Sequence, residues 1–473
     1  MAVTDNSTKT NQILIYREIN ILIMETEKGP ESIGKNSAIG KIGFEHIKSL
    51  ERQSQNSANK PLGLGFVASK MPWTCSDLSG LHTEQTHELL EKASIIHYNF
   101  FDNKKHYSYL PIGQTAIMKI ESLMREVMTT FGVQELYLTP IQPVDLWQTS
   151  GRIDEFKHKM MYLKCYSRSG DNYVMSPTNE EVVTVMAKTL VKSYKQLPLI
   201  FYQFADKFRD GKGKHGIVAS NVFRVLEAYS LDANEQSLET SAKLFENAFT
   251  TILKTLGVQT TLLKDEKGYL GFMSETNAGD EQIAACSCGK RYSYPEIGDT
   301  CKSCGEHFAV TKAVNIGCIM KEGVKYSEKF NARYSTEAKE WKLIHMGTYG
   351  LGVSRILHAV VDQNRDKFGI MWPECIRPVD FCVMPVDSKD AIQLNYAKEL
   401  YDLIRSYGKN VILEDRDKKL GWKIRIHDLI GTHRQIIVGK QEIEKDVVSI
   451  KHREDNTHET IKISEISQYL SKA

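Results

Sequence analysis

The sequence of 473 residues lacks any apolar run of about 18 residues or longer, the length that a membrane-spanning helix requires. We therefore expect no transmembrane helix and no membrane partner. It also lacks an excess of either charge, because 61 lysines and arginines stand against 59 aspartates and glutamates. This excludes a uniformly basic coat for nucleic acid but not a local basic patch. Hydrophobic residues make up 41% of the chain, which allows a packed core and excludes global disorder.

Cysteine is sparse for so long a chain, and the nine cysteines are an odd number. A disulfide framework is therefore not expected, and the composition favours a reducing compartment. Four of them cluster as Cys286-x-Cys288 and Cys301-x-x-Cys304. The second pair has ordinary zinc-ligand spacing, whereas the first is tighter. The cluster fits either a zinc-binding ribbon or four reduced thiols without metal.

Three segments of the chain differ in pattern. Residues 1–72 are rich in Asn, Ser, Lys and Gly, with one apolar stretch at 13–24, and we expect a loosely ordered extension. Residues 73–376 alternate strand patterns with long amphipathic helices. After Trp372-Pro373, residues 377–473 repeat strand, helix, strand, which predicts a small α/β domain.

A glycine-rich segment, residues 346–355, leads into an apolar helical pattern and ends in Arg355. Glycines such as Gly350 and Gly352 let a flat ligand lie against the backbone. An arginine at a helix start can hold a phosphate with its planar fork of donors. A purely structural strand–turn–helix would give the same pattern.

A second candidate is a strand pair around a basic loop. Arg209 ends the first predicted strand and Phe223 opens the next, and the loop between them contains Lys212, Lys214 and His215. The arginine suits a phosphate, and the aromatic ring suits a stacked base. A hairpin with a solvated tip is the alternative.

A third candidate is Thr178-x-Glu180. On an extended chain these side chains face the same side, where a buried Glu180 would bind an ammonium group. The alternative is a plain helix start, with Thr178 as the cap and Glu181 completing a capping box.

Taken together and in this order, the three segments resemble the signature motifs of class II aminoacyl-tRNA synthetases, and specifically the prolyl-tRNA synthetases. The resemblance runs from about Leu81 to the C-terminus and is to the compact form without the editing insertion, similar to the mitochondrial type. It rests on residues 138–152 (motif 1), 208–230 (motif 2), 347–355 (motif 3), 193–198, 362–364, 370–373, 413–416 and 428–431.

The resemblance implies an α/β (α+β) protein with two domains. The first is an antiparallel-sheet catalytic domain over residues 73–376, with a Cys-rich ribbon near 286–304. The second is an α/β anticodon-binding domain over 377–473. It further implies a homodimer with Pro140 at its interface, located in the mitochondrial matrix or the cytoplasm.

The implied activity is proline--tRNA ligation: proline attacks the α-phosphate of ATP, which carries Mg²⁺, and the prolyl group then passes to the 3′ end of tRNA(Pro). The implied phosphate-binding residues are Arg209 and Arg355. The implied substrate-binding residues are Thr178, Glu180, Phe223, Glu275, Thr348, Gly350 and Gly352. A metal site would use Cys286, Cys288, Cys301 and Cys304.

Several positions depart from the family pattern. Gly211 replaces a glutamate after Phe-Arg-Asp, Glu275 replaces a pocket histidine and Thr348 replaces the motif 3 cysteine. Two hypotheses follow. The chain is either an active, divergent prolyl-tRNA synthetase or a paralogue that has lost catalysis and acts as a tRNA-binding or regulatory subunit.

The C-terminal domain carries a modest excess of basic residues between 416 and 434. With the family resemblance, Arg416, Lys419, Lys423 and Arg434 are predicted to contact tRNA phosphates and anticodon bases. The alternative is a solvated helix face.

Overall fold

A computed structural model describes residues 62–74, 85–101, 104–156, 162–163, 172–210, 216–265, 267–293 and 300–472. The apolar stretch at 13–24 and the basic loop residues Lys212, Lys214 and His215 lie outside these ranges. Among the described residues, no helix is both long and apolar enough to cross a membrane.

Helices and strands alternate along the described chain. The helices are α1 (Thr86–Lys92), α2 (Pro111–Thr130), α3 (Val144–Ser150), α4 (Ile153–Phe156), α5 (Glu180–Leu190), α6 (Glu235–Thr255), α7 (Lys325–Phe330), α8 (Val353–Gln363), α9 (Ala391–Ser406), α10 (Leu420–Ile430), α11 (Lys440–Glu444) and α12 (Ile466–Lys472). The strands are β1 (Gly65–Val67), β2 (Ile96–Phe101), β3 (Lys104–Tyr109), β4 (Gln134–Glu135), β5 (Ile141–Pro143), β6 (Tyr162–Leu163), β7 (Tyr173–Met175), β8 (Leu199–Phe208), β9 (Val222–Asp232), β10 (Thr261–Lys264), β11 (Leu270–Glu275), β12 (Glu281–Ala285), β13 (Arg291–Ser293), β14 (Ala309–Gly323), β15 (Arg333–Ser335), β16 (Trp341–Leu343), β17 (His345–Gly352), β18 (Phe381–Pro385), β19 (Val411–Leu413), β20 (Arg434–Val438), β21 (Val447–His452) and β22 (His458–Lys462).

A nine-stranded sheet forms the first domain, in the order β10-β11-β14-β17-β9-β8-β4, with β12 attached to β14 and β13 attached to β12. All its pairings are antiparallel except β4 with β8. Because side chains alternate along a strand, β17 turns Tyr349 and Leu351 to one face and Thr348 and Gly350 to the other. The first face is covered by helices: the Tyr349 ring stacks on Phe245 of α6 at 4.0 Å between centroids. The second face holds the candidate site.

The C-terminal domain is the α/β unit that the sequence predicts. Its sheet has the order β1-β19-β18-β20-β21-β22, with parallel pairing from β1 to β20 and antiparallel pairing beyond. Residues of α9 such as Leu400 and Ile404 are fully buried against β18 and β19. The predicted alternation of strand and helix appears as β18, α9, β19, α10 and β20.

The N-terminal prediction is wrong for the part that the structure describes. Residues 65–67 form β1, which extends the C-terminal sheet by parallel pairing with β19. Beyond β1, Ser69 donates a backbone hydrogen bond of 2.7 Å to the Asp415 carboxylate, and the Thr74 backbone donates to Ser94 Oγ beside α1. We call residues 62–74 the N-terminal strap, because they connect the C-terminal sheet to the first domain. The sequence signal is weak, since a three-residue strand has no readable period.

The strap passes too close to its neighbour for any side chain at Gly63. A Cβ there would lie 1.9 Å from the carbonyl oxygen of Lys409. We expect Gly63→Ala to release β1 and to destabilise the C-terminal domain by about 1–3 kcal/mol. The Val411 amide, which donates to the Leu64 carbonyl at 2.9 Å, should then exchange its hydrogen faster. Leu62→Ala, at an exposed position of the strap, is the control, and wild-type protection of Val411 in Gly63→Ala would contradict the assignment.

Candidate active site

An open floor lies at the centre of the uncovered sheet face. The strand register places Gly271, Cys318, Gly350, Glu227 and Gln203 side by side across five strands. Three small residues therefore adjoin one carboxylate. A Cβ at Gly350 would meet nothing closer than 3.7 Å, so the glycine leaves room for a ligand rather than for the protein itself.

Beside the floor, Thr178 and Glu180 come together as the sequence predicts. The Thr178 hydroxyl donates to the Glu180 carboxylate, and Glu227 Oε1 lies 3.2 Å from the same hydroxyl. All three side chains are buried. Helix α5 begins at Glu180 with Asn179 as its N-cap residue, and no side-chain capping bond is present. The capping-box alternative is therefore wrong, and the Thr178 hydroxyl serves the site instead.

Glu227 is the carboxylate at the centre of the floor. It accepts hydrogen bonds from Gln203 at 3.0 Å and Asn179 at 3.2 Å, and it pairs with Lys207 Nζ at 2.5 Å. Burial alone would raise the pKa of Glu227, but Lys207 and these donors hold that pKa below its usual range. Glu227 is therefore ionised at neutral pH.

Motif 1 supports the Thr178 loop from behind. The buried Gln142 amide donates to the Thr178 carbonyl at 3.0 Å and to Ser176 Oγ at 3.1 Å. Gln142 Oε1 in turn accepts from the indole of buried Trp147 at 2.8 Å. This network of satisfied buried polar groups fixes the loop that carries the site.

Arg152 contacts the site from the end of α3. Its Nη1 lies 3.3 Å from Glu180 Oε2 and 3.0 Å from Glu181 Oε1. Gly151, in the left-handed conformation with φ 76°, ends α3 and turns the chain so that Arg152 points inward. One guanidinium is thus shared by two adjacent buried carboxylates.

The two predicted phosphate-binding arginines are oriented by backbone carbonyls. Arg209 Nε and Nη2 donate to the Pro177 carbonyl at 3.2 and 3.1 Å, and its guanidinium lies 5.2 Å from the centre of the Phe223 ring. Arg355 donates to the carbonyls of Val218 and Asn315 at 3.1 and 2.5 Å. A guanidinium has five N–H donors, so both side chains are held in place with donors left for a phosphate.

The structure places the two divergent pocket positions differently. Thr348 is buried on β17, two residues before Gly350 and on the same face of the sheet. Within the described residues its hydroxyl has no hydrogen-bond partner. Glu275 is exposed and forms an ion pair with Arg291 of the Cys-rich ribbon. Its substrate-binding role stays a prediction.

The four ribbon cysteines converge. Their sulfur atoms all lie within 4.8 Å of one another, with 3.3 Å between Cys286 and Cys304 and 3.8 Å between Cys288 and Cys301. Sulfurs placed about 2.3 Å from a tetrahedral zinc ion would be about 3.8 Å apart. The donor set therefore fits a metal of this kind.

One predicted tRNA contact in the C-terminal domain is wrong. Lys423 is fully buried, because α10 turns this face inward, and its Nζ donates to the Pro385 carbonyl at 2.8 Å and Ser388 Oγ at 2.6 Å. Lys419 is exposed just before α10.

The other two predicted tRNA contacts are held by neighbouring side chains. Arg416 pairs with buried Glu414 and lies between the Trp73 and Trp422 rings, 4.0 and 4.7 Å from their centres. Arg434 is half-buried, and its Nε donates to Tyr469 Oη at 3.2 Å.

Sequence reasoning missed several residues of the site. Glu227 and Lys207 gave a signal, because each is a charged residue within an otherwise apolar strand, where burial requires a partner. Arg152 and Gln142 gave none of that kind, since their segment reads as an ordinary short helix. Their position becomes visible only when α3 packs beside α5.

Comparison with known proteins shows the family to which the chain belongs. The family model "tRNA synthetase class II core domain (G, H, P, S and T)" matches residues 162–364, and the model "Anticodon binding domain" matches 380–473. A Proline--tRNA ligase of Wolbachia sp. subsp. Brugia malayi is 30% identical over 392 residues, covering 77% of this chain and 90% of the relative. One of Ehrlichia ruminantium is 32% identical over 372 residues, covering 73% and 86%. The chain belongs to the prolyl-tRNA synthetase family.

Solved prolyl-tRNA synthetase structures share the fold. The Cryptosporidium parvum protein, complexed with halofuginone and AMPPNP, superposes with a TM-score of 0.64 at 17% identity, covering 82% of this chain and 75% of that one. The Giardia lamblia protein, in complex with prolyl-adenylate, gives 0.63 at 18% identity, covering 80% and 75%. These likenesses confirm the predicted class II catalytic fold and anticodon-binding domain.

Proposed function

We propose that this chain is an active proline--tRNA ligase, which joins proline to ATP and then to the 3′ end of tRNA(Pro). The observation that carries the proposal is the charge of the buried site. Three contiguous buried carboxylates, Glu180, Glu181 and Glu227, are matched by two buried cations, Arg152 and Lys207. Glu180 and Glu227 both meet the Thr178 hydroxyl beside the open floor, so the ammonium group of an amino acid would find carboxylate oxygens there.

Thr178 would orient the ammonium group in this subsite. A secondary ammonium such as that of proline has two N–H donors. One would donate to the Glu180 carboxylate and the other to the Thr178 hydroxyl. That hydroxyl then donates its own proton to Glu227, 3.2 Å away. The ring would lie over the small residues of the floor, with Gly350 beneath it.

ATP would enter with Mg²⁺ as its counter-ion, so that metal comes with the substrate. Arg209 would contact the α-phosphate and Arg355 the γ-phosphate, while Phe223 would stack on adenine. The proline carboxylate attacks the α-phosphorus, and pyrophosphate leaves. Positioning and stabilisation of phosphate charge account for catalysis, since no protein group has to form a covalent bond.

In the second step the terminal tRNA hydroxyl attacks the prolyl carbonyl, and AMP leaves. Exposed Lys419 and half-buried Arg416 and Arg434 are the proposed tRNA contacts of the C-terminal domain. They contribute mainly through phosphate charge, so tRNA affinity should fall as salt rises.

The alternative is a paralogue that keeps the scaffold without catalysis. The changes at Gly211, Glu275 and Thr348 are its support. Against it, Thr178 still meets Glu180, and Arg209 and Arg355 are both held by backbone carbonyls with donors left over.

Proline-dependent ATP–pyrophosphate exchange tests the activity, with Gly350→Ala as the variant. An added Cβ there meets only ordinary contacts in the protein, so unfolding should be unchanged. The methyl group occupies the ligand floor, and we expect kcat/KM for proline to fall by about 100-fold through misplacement of the substrate. Gly421→Ala, where a Cβ meets nothing within 4 Å, is the matched control. Wild-type exchange in Gly350→Ala would mean that substrates do not lie on this floor, and no exchange in the wild type would favour the paralogue.

We also propose that the four ribbon cysteines hold a structural zinc ion. The sulfur geometry supports this, and so does the backbone N–H of Ser303, which lies 3.4 Å from Cys301 Sγ and stabilises a thiolate. The ion would fix the ribbon that carries Arg291, the partner of Glu275.

Metal analysis of purified protein tests this site. We expect about one zinc ion per wild-type chain and less than half of that in Cys301→Ser, since one ligand of four is lost. Cys375→Ser, at an exposed cysteine outside the cluster, should retain the metal. Equal zinc content in the wild type and Cys301→Ser would contradict the assignment.

We further propose a homodimer through the motif 1 surface. Next to Pro140, the apolar side chains of Tyr137 and Ile141 are 78% and 47% exposed, more than a buried-core role explains. A covering partner would remove both from water.

Sedimentation velocity tests the dimer. Tyr137→Glu should shift the protein to monomer, because a desolvated carboxylate at the interface is unfavourable. Phe368→Glu, at a 41% exposed position outside motif 1, should leave the dimer intact. A monomeric wild type, or a dimeric Tyr137→Glu, would refute this surface.

A further inference from the structure

Arg152 has no assigned role, yet its surroundings are specialised. Its guanidinium lies over three aromatic rings, 5.2 Å from the centre of Trp147, 4.7 Å from Phe156 and 5.3 Å from Tyr326. These rings restrict it to the position from which Nη1 contacts both Glu180 and Glu181. Such a stack favours arginine over lysine, because a planar guanidinium packs flat on aromatic faces.

Glu180 and Glu181 are adjacent residues, 3% and 0% exposed. Two buried carboxylates this close do not both ionise without a cation. Burial and the neighbouring Glu180 charge raise the pKa of Glu181 to about 7 even though Arg152 opposes this shift. The bridging guanidinium of Arg152 therefore holds the two carboxylates side by side despite their mutual repulsion.

Other charged groups around the pair do not replace Arg152. Glu155, 3.5 Å from Arg152 Nε, adds a further negative charge from α4, and Tyr326 of α7 is neutral because burial raises its pKa far above the usual range. Glu322 at the end of β14 is paired with Lys325, 3.4 Å away. Lys207 is committed to Glu227 on the floor side, and Arg209, which also attracts Glu180, donates to the Pro177 carbonyl.

We propose that Arg152 is a positioning residue for the amino-acid subsite: by bridging Glu180 and Glu181 it holds the Glu180 carboxylate aimed at the substrate amine. This inference rests on the proposed ligase activity. Arg152 itself touches no substrate, and its effect passes entirely through Glu180.

Kinetics of proline-dependent exchange between pH 6 and 9 test the inference with Arg152→Gln. The KM for proline should rise by about 10- to 100-fold at pH 7, since two adjacent buried carboxylates without a bridging cation repel each other and displace Glu180 from the substrate amine. The KM for ATP should change less than about twofold, and the acid limb of kcat/KM for proline should move to higher pH.

The double variant Arg152→Gln with Glu181→Gln separates charge from packing. Removing the competing carboxylate removes the repulsion that displaces Glu180 and should recover about tenfold or more of the lost kcat/KM. Asp154→Asn, at an exposed acidic position of α4, is the control and should stay near wild type. If Arg152→Gln does not fold, the double variant, which buries one charge fewer, decides on its own.

The outcomes are distinct. A proline KM unchanged in Arg152→Gln, or a loss that the second substitution does not recover, would overturn the positioning role. Equal increases in the KM for ATP and proline would assign Arg152 to packing only. Absence of exchange in the wild type would instead refute the ligase activity on which the inference rests.

Discussion

Charge buried away from water must be matched, and this constraint organises the site. Glu180, Glu181 and Glu227 are held by Arg152 and Lys207, and Glu180 and Glu227 meet at Thr178 beside the open floor of the sheet. An ammonium group that binds there completes the match, whereas a neutral analogue leaves a carboxylate desolvated. These buried carboxylates thus favour a ligand with an amine, independently of contacts to the rest of the substrate.

The scaffold restricts the positions of the groups in the site. The register of five strands puts Glu227 beside Gly350, and motif 1 fixes the Thr178 loop through Gln142 and Trp147. The N-terminal strap also contacts the C-terminal domain, because Trp73 lies against Arg416. The N-terminal strap therefore contacts both the catalytic domain and the anticodon-binding domain.

Much of this was predictable from sequence, for reasons that the structure makes plain. Strands and helices with clear periodicity were correct, and Thr178 and Glu180 were paired because alternation is a local property. The tRNA contact predicted for Lys423 was wrong because a basic residue in a helix is usually exposed, whereas α10 buries this lysine against a backbone carbonyl. Arg152 was missed because its role depends on the packing of α3 beside α5. Residues 62–72 were misjudged because β1 is stabilised only by a partner more than 340 residues away.

The central claim is that the site binds its substrate through a positive amine. Tetrahydrofuran-2-carboxylate has the ring and carboxylate of proline, but an ether oxygen replaces the amine. Competition against proline in the exchange reaction measures the claim directly. The account predicts no inhibition by this compound at concentrations where a proline analogue that retains the ring amine inhibits. Inhibition by the ether as strong as by that amine would contradict it.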